Sequence, residues 1–211
     1  VECAVTCKTD DLEIPTFHLT GLEFARRFVL AVDMARENVS RAVTHNKGIF
    51  NGVDAVVLAT GNDFRAVEAG GHAYASRDGI YRSLSKAEIA GPDFRFSLEL
   101  PLSIGTVGGL TRNHPMAATA IKILGNPDAE ELMGIVAAAG LANNFSAIKA
   151  LITGGIQQGH MRLHLPNLLN HLHATPEEKT MVLKHFRDRK VSHAAVGEYL
   201  TLVRSSKQGK Q

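Results

Sequence analysis

The sequence predicts an α+β fold, rich in helix, with a small helical subdomain at its C-terminal end. Three features carry that expectation. Apolar residues alternate at the N-terminus and again from Phe94 to Leu102, the period of a half-buried strand. Between and after these segments lie long runs with helical spacing, two of them opened by a capping-box pattern. Near residues 165–175 the composition shifts toward short leucine-bearing helices.

In chain order, residues 1–8 read as a strand, with Cys3 and Cys7 on the same side as Val1 and Val5. Thr20-Gly21-Leu22-Glu23 opens a helix in which Leu22, Ala25, Val29 and Val32 recur at helical spacing. Residues 41–76 read as two helices broken at Thr60-Gly61-Asn62, the first carrying Val53, Val56 and Val57, the second Ala66, Val67, Ala69 and Ala73. A strand pair is expected at Gly79–Leu84 and Phe94–Leu102, then a tight glycine turn at Gly105-Thr106-Val107-Gly108-Gly109. Helices follow at 112–124 and 128–151, the latter opened by Asp128 and Glu131, and another at 153–164. Short helices after Pro166 carry Leu168, Leu169 and Leu172, then Met181, Val182 and Phe186, then Val196, Tyr199, Leu200 and Val203. The expected division is a body over 1–155, a helical subdomain over 156–204 and a disordered tail over 205–211.

Composition bounds the function. A hydrophobic fraction of 45% with 21% charged residues suits a globular chain and excludes disorder. No apolar run approaches the ~20 residues of a membrane span, so none is expected. A net charge of +2 gives no reason to expect a nucleic acid partner. From Thr175 onward eight Lys and Arg face four acids; that excess is either a solvated helical face or a surface for phosphates. Two cysteines make no disulfide framework. The start, Val1-Glu2-Cys3, lacks an initiator Met and a signal pattern, and reads as an internal cut.

Four clusters hold candidate chemistry. In Arg41–Gly52, Lys47 and Asn51 lie four apart on one helical face that continues through Asp54 and Leu58. Beside apolar surface such a lysine suits a developing oxyanion; an ordinary surface lysine is the alternative. Asp63 is either an N-terminal carboxylate favoured by the helix dipole or the partner of Lys47 across the break. Glu68 and His72, also four apart, read as a helical pair. Asn143 falls on the stripe Leu132, Val136, Ala139, Asn143, Ser146, Ala150, where an amide needs either a structural partner or a polar substrate. His160 follows Gly154-Gly155-Ile156-Gln157-Gln158-Gly159 and precedes His164 by four. A zinc motif would need Glu where Met161 stands, so no metal is expected.

Taken together, His45–Gly52, Ala59-Thr60-Gly61-Asn62-Asp63, Arg65–Gly70, Gly105–Gly109 and Gly154–Met161 resemble the 3-hydroxy-3-methylglutaryl-CoA reductases, most closely the class II form. The likeness runs from Val1 into the C-terminal subdomain and is weakest after Pro166. It implies the helix-rich substrate-binding large domain of that family with a C-terminal helical flap. It also implies a cytoplasmic homodimer with its active site at the subunit interface. The implied reaction is NAD(P)H-dependent, four-electron reduction of 3-hydroxy-3-methylglutaryl-CoA to mevalonate and CoA, or the reverse. By the same resemblance Lys47 stabilises the substrate oxygen, Asp63 hydrogen-bonds that lysine, and Asn51 positions it. His160 protonates the CoA thiolate and Arg41 holds the substrate carboxylate. Asn143 and Asn144 stand beside the substrate, Asn143 where the family commonly has Gln. An imidazole is an acid of suitable strength for a thiolate leaving near neutral pH.

The family's catalytic glutamate and its nicotinamide-binding domain have no counterpart in this sequence; no glycine-rich dinucleotide fingerprint follows a strand. The expectation is therefore a C-terminal half, inactive by itself, with NADH or NADPH bound by sequence outside it. A non-catalytic module that binds or assembles around CoA esters is the alternative.

Overall fold

The computed structural model describes residues 1–12, 19–153, 165–186, 189 and 191–208. They form two compact units, Val1–Ile152 and Thr153–Gln211, each with its own core.

Unit one is built on a three-stranded antiparallel sheet, order β1-β3-β2, with β1 at Glu2–Lys8, β2 at Ser85–Ala90 and β3 at Asp93–Glu99. The central strand buries Phe94, Phe96 and Leu98, set opposite Cys7, Val5 and Cys3 of β1 and Ile89, Ala87 and Ser85 of β2. An edge position explains why β1 is only partly covered: Cys3 and Cys7 are half-buried and Val5 is 50% exposed. Burial pushes both thiols above their ordinary range, with Asp11 and Asp93 adding to the shift at Cys7. The strand expected at Gly79–Leu84 lies one segment later, at Ser85–Ala90. Gly79, at φ +83°, and its neighbours form the turn out of the preceding helix instead, and Gly91, at φ +61°, opens the hairpin turn into β3. Short strands of mixed polarity, such as Ser-Lys-Ala-Glu-Ile-Ala, take their identity from the partner strand.

Helix α1 spans Gly21–Glu37, and Thr20 and Glu23 make both arms of the capping box. Its core face is Phe24, Ala25, Phe28, Ala31, Val32 and Ala35, so the expected stripe was rotated: Leu22 is exposed and Val29 half-buried. Phe28 sits edge-on to Phe94 and Phe96, with ring centroids 5.3 and 4.9 Å away, and 5.1 Å from Phe145. Few in number, the aromatic rings are concentrated where helix meets sheet.

Helices α2 (Val39–Ala59) and α3 (Phe64–Ala75) are separated at Thr60–Asp63, as the sequence indicates, and Gly61 there has φ +73°. The helix expected at 112–124 is two helices, α4 (Gly109–Asn113) and α5 (Pro115–Ile123), because Pro115 ends one helix and begins the next. Helix α6 (Ala129–Ile152) opens with a reciprocal cap, Glu131 N donating to Asp128 Oδ1 at 2.8 Å and Asp128 N to Glu131 Oε2 at 3.0 Å. By length and composition α6 is long and apolar enough to cross a membrane, contrary to the expectation of no such run. It packs against α1, α2 and the sheet, and about a third of its apolar stretch is buried there (33%). The buried stripe is Leu132, Val136, Ala137, Gly140, Leu141, Asn144 and Ile148. It therefore runs through Asn144 and leaves Asn143 half-buried.

The crossing of α2 and α6 is close because glycines line it. A Cβ on Gly52 would overlap the backbone carbonyl of Ala139, and one on Gly140 would stand 2.8 Å from Val53 Cγ2. The two helices are also tied by hydrogen bonds. Asn143 Nδ2 donates to Gly48 O at 2.5 Å and Asn144 Nδ2 to His45 O at 3.2 Å. Asn144 Oδ1 accepts from the Ser85 hydroxyl at 3.0 Å, and His45 Nε2 lies 2.6 Å from the same Ser85 Oγ. Ser85 has one proton and gives it to Asn144, so His45 must donate through Nε2. That leaves Nδ1 as a bare, buried acceptor without a partner among the described residues. Burial, helped by the Arg41 charge, lowers the His45 pKa to about 4 and keeps the ring neutral.

Unit two contains a helix α7 over residues 165–171, α8 at Pro176–His185 and α9 at His193–Gln208. Leu165, Leu169, Val182, Phe186, Val196 and Leu200 form much of its core. Thr175 and Glu178 make a capping box, and Glu178, buried, also receives Arg204 in a bidentate pair at 3.0 and 3.1 Å. Arg204 further donates to Leu172 O and His173 O, so one of the basic residues after Thr175 is spent on structure. Helix α9 continues through Gln208, into the segment expected to be a tail. The helix expected at 153–164 lies almost wholly outside the described residues.

Two outcomes follow. Gly52→Ala should lower unfolding stability by about 1–3 kcal/mol through overpacking against α6. Gly134→Ala, on the same helix pair but with no neighbour within 4 Å of the added carbon, should not; denaturant melts compare them. For His45, a folded pKa below the unfolded value means that its stabilising effect is complete above pH about 6.5. It is then lost as pH falls toward 4, by up to about 3 kcal/mol. His45→Gln should flatten that acid limb in melts recorded between pH 7 and 4.

Candidate active site

The site is assembled from α2, the α2–α3 break, the glycine turn and α6. Helix α2 is polarised around its axis. His45, Asn46, Ile49, Phe50, Val53 and Val57 are buried, while Lys47, Asn51 and Leu58 are exposed. The Lys47–Asn51 face therefore looks outward, and the expectation of a partly desolvated ammonium gives way to an exposed one. Arg41 lies in the first turn of the same helix, after the Asn38 cap, with Nη1 donating to Thr44 Oγ1 at 3.2 Å. Its side chain lines an open groove of about 620 Å³ with Met34, Glu37, Asn38, Ser40 and Thr44.

Asp63 is the N-cap of α3, with Oδ1 accepting from Arg65 N at 3.0 Å and from Arg65 Nε at 3.1 Å. Those contacts, the Arg65 side chain first, hold its carboxyl below the usual range. The structure thus places Lys47 and Asp63 on consecutive helices and gives the Asp63 carboxylate to Arg65.

The sequence reading missed Asn62. Its Nδ2 donates to Gly105 O at 3.1 Å and its Oδ1 accepts from Gly105 N at 2.9 Å. This two-point clamp fastens the α2–α3 break to the glycine turn forty-three residues away. Gly61 packs in the same place, with its Cβ position 3.2 Å from Ala117 Cβ and 3.3 Å from Thr111 N. An amide between a glycine and a helix cap was the available signal, because Asn in a break makes local or cross-loop hydrogen bonds.

Asn143 and Asn144 are brought to α2, but both amides make protein contacts: Asn143 with Gly48 O, and Asn144, fully buried, with His45 O and Ser85. Ser85 and Asn46 are further residues the sequence reading left aside. Asn46 Nδ2 donates to Arg82 O at 2.9 Å and Oδ1 accepts from Leu84 N at 3.0 Å, fixing the entry to β2. His160 and its glycine segment lie outside the described residues.

Among the described residues one common dinucleotide cradle is absent. That cradle is a parallel βαβ crossover with a glycine-rich turn at a helix N-terminus. The strands here pair only antiparallel, and no described strand leads through such a turn into a helix. Among the described residues no three His, Cys, Asp or Glu side chains gather as a metal site would require.

Comparison with known proteins agrees over most of the chain. The family described as hydroxymethylglutaryl-coenzyme A reductase matches residues 2–165. A 3-hydroxy-3-methylglutaryl-coenzyme A reductase of Archaeoglobus fulgidus is 43% identical over 187 residues, 88% of this chain and 43% of its own. A probable reductase of the same name from Borreliella burgdorferi is 41% identical over 146 residues, 69% of this chain and 34% of its own. Among solved structures, 3-hydroxy-3-methylglutaryl-coenzyme A reductase from Streptococcus pneumoniae superimposes with a TM-score of 0.69 at 37% identity, over 96% of this chain and 48% of that one. The class II enzyme of that organism, bound to NADPH in open conformations, gives 0.68 at 38% identity, covering 96% and 49%. The chain spans about half the length of these relatives or less. A match across residues 2–165, joined to the same fold, places the chain in the hydroxymethylglutaryl-coenzyme A reductase family.

Proposed function

We propose that this chain supplies the substrate platform of an NAD(P)H-dependent reductase that converts 3-hydroxy-3-methylglutaryl-CoA to mevalonate and CoA, or runs the reverse oxidation. The observation that carries the reading is the outward face of α2. Lys47 and Asn51 stand exposed on a helix whose opposite face is anchored through Gly52, His45 and Asn46. A rigidly seated ammonium aimed at solvent is suited to meet a carbonyl oxygen that gains negative charge.

In this reading Lys47 takes the developing oxyanion, Asn51 one turn later orients the ammonium, and Asp63 turns from Arg65 toward Lys47 when substrate is present. Arg41, lining its groove, takes the terminal carboxylate of the substrate as a charge-assisted pair. Asn143 and Asn144 hold the backbone of α2 beneath the substrate. His160 delivers the proton that turns the departing CoA thiolate into a thiol. Reducing a thioester to a primary alcohol consumes two hydrides, which a nicotinamide carries. In this reading that nicotinamide, NADH or NADPH, is held by sequence outside the described residues.

A homodimer with a shared site belongs to the same reading. Val107, Leu110, Met116 and Ile123 are 59–83% exposed along the glycine turn, α4 and α5, apolar side chains that a second subunit would cover. A cytoplasmic location is part of the proposal.

Lys47→Ala, in a chain extended to the length of its relatives, should cut steady-state reduction by ~10²-fold or more, with a much smaller change in CoA-ester affinity by calorimetry. Unchanged turnover would remove Lys47 from its role. The purified 211-residue chain should show no mevalonate- and CoA-dependent reduction of NAD⁺ or NADP⁺ by absorbance; turnover there would place the nicotinamide site within these residues.

A further inference from the structure

The break between α2 and α3, Thr60–Asp63, has its backbone tied to both helices. Thr60 N and Oγ1 both donate to Val56 O, at 3.0 and 2.8 Å. Gly61 N, at φ +73°, donates to Leu58 O at 3.1 Å and Asn62 N to Val57 O at 2.9 Å, which closes the C-terminal end of α2. Asp63 then opens α3 as its cap. Thr60 and Asp63 spend their side chains on groups within four residues of themselves, so neither fixes the break against a distant segment.

Asn62 reaches farther. Its Nδ2 hydrogens go to Gly105 O at 3.1 Å and Thr60 Oγ1 at 3.2 Å, and its Oδ1 accepts from Gly105 N at 2.9 Å. Both donors and the amide oxygen are thereby engaged, and the amide has one orientation. Turned over, it would set its oxygen against Gly105 O and its nitrogen against Gly105 N. Both groups it bonds at Gly105 are backbone, so it holds the main chain of the glycine turn. Gly61 adds a second attachment beside it, with its Cβ position 3.2 Å from Ala117 Cβ and 3.3 Å from Thr111 N.

We propose that Asn62 is a positioning residue for the reaction: bonded to Gly105, it fixes the backbone from which Asp63 projects. Asp63 is exposed and bonded to Arg65 two residues on. Its carboxylate can therefore change partner by side-chain rotation, provided that the backbone beneath it stays in place. Without the clamp that backbone shifts, and a misplacement of about 1 Å is enough to cost ~10²-fold in rate. Asn62 touches no reacting atom in this role. The catalytic consequence rests on the reductase reading of Asp63; the clamp does not.

The clamp is tested in the 211-residue chain by amide exchange at Gly105, whose N–H donates to Asn62 Oδ1. Asn62→Ala should speed exchange there ~10-fold or more while the α6 amides of 136–148 stay level. An unchanged Gly105 rate overturns the clamp. The role in the reaction is tested in a chain extended to the length of its relatives. There Asn62→Ala should lower kcat ~10- to 10²-fold, with the KM for 3-hydroxy-3-methylglutaryl-CoA changed less than about 3-fold. Asn62→Asp, which keeps size and acceptor but sets a carboxylate oxygen against Gly105 O, should lower kcat too.

The deciding measurement adds Asp63→Asn. If Asn62 acts through Asp63, Asn62→Ala costs no more than about 2-fold in the Asp63→Asn background, whereas a general loss of folded enzyme multiplies the two effects. Multiplied effects, or full turnover in Asn62→Ala or Asn62→Asp, overturn the positioning role. Full turnover in Asp63→Asn alone overturns the catalytic reading of Asp63, and the positioning role with it, while the Gly105 exchange result stands. Should Asn62→Ala fail to fold, Asn62→Asp replaces it in the turnover measurements and Asn62→Ser, shorter in reach, in the exchange.

Discussion

The close crossing of α2 and α6 is the constraint on which the rest of unit one depends. Gly52 admits the backbone of Ala139 and Gly140 admits Val53, so two long helices touch nearly main chain to main chain. At that separation the asparagines of α6 reach backbone carbonyls of α2 directly, Asn143 at Gly48 and Asn144 at His45. A wider crossing would cost the buried Asn144 amide its bond to His45 O, roughly 1–3 kcal/mol for such an unpaired group. Small residues and buried amides are thus two parts of one arrangement: the first makes the second geometrically possible.

That arrangement explains how one helix serves both core and site. The inner face of α2 is held by apolar packing and by the His45–Ser85–Asn144 network, which joins it to β2 and α6. Its outer face then presents Arg41, Lys47 and Asn51 from a backbone with little freedom to shift. The second anchor is at the far end, where Asn62 clamps the helix break to Gly105 and Asp63 caps α3. Flexible groups at the surface are carried on elements fixed from below, which suits a site that must hold a ligand in one geometry.

Helix α2 also carries two ionisable groups, His45 and Asp54, with a buried atom that has no hydrogen-bond partner among the described residues, and burial favours the neutral form of each. For histidine this lowers the pKa and for aspartate it raises it, so their effects on stability run in opposite directions across mildly acidic pH. Different charges act on them: Arg41 on His45 and Glu68 on Asp54.

Much of this was legible in the residues themselves. The caps at Thr20 and Asp128, the break at Thr60–Asn62 and the alternation along β3 rest on interactions within a few residues, which the sequence order alone brings together. The ordered motifs around Lys47 and Asp63 were likewise enough to show the family resemblance. What the sequence could not show was which face of each helix turned inward, whether Lys47 was desolvated, where β2 lay, or that Asn62 and Gly105 would meet. Each depends on a partner that is distant in sequence: the stripe of α6 passes through Asn144 because α2 and Ser85 lie over it, and Ser-Lys-Ala-Glu-Ile-Ala is a strand because β3 pairs with it. Local chemistry determined the elements and their ends; long-range packing, where burial and hydrogen bonding must be satisfied together, decided their faces and built the site.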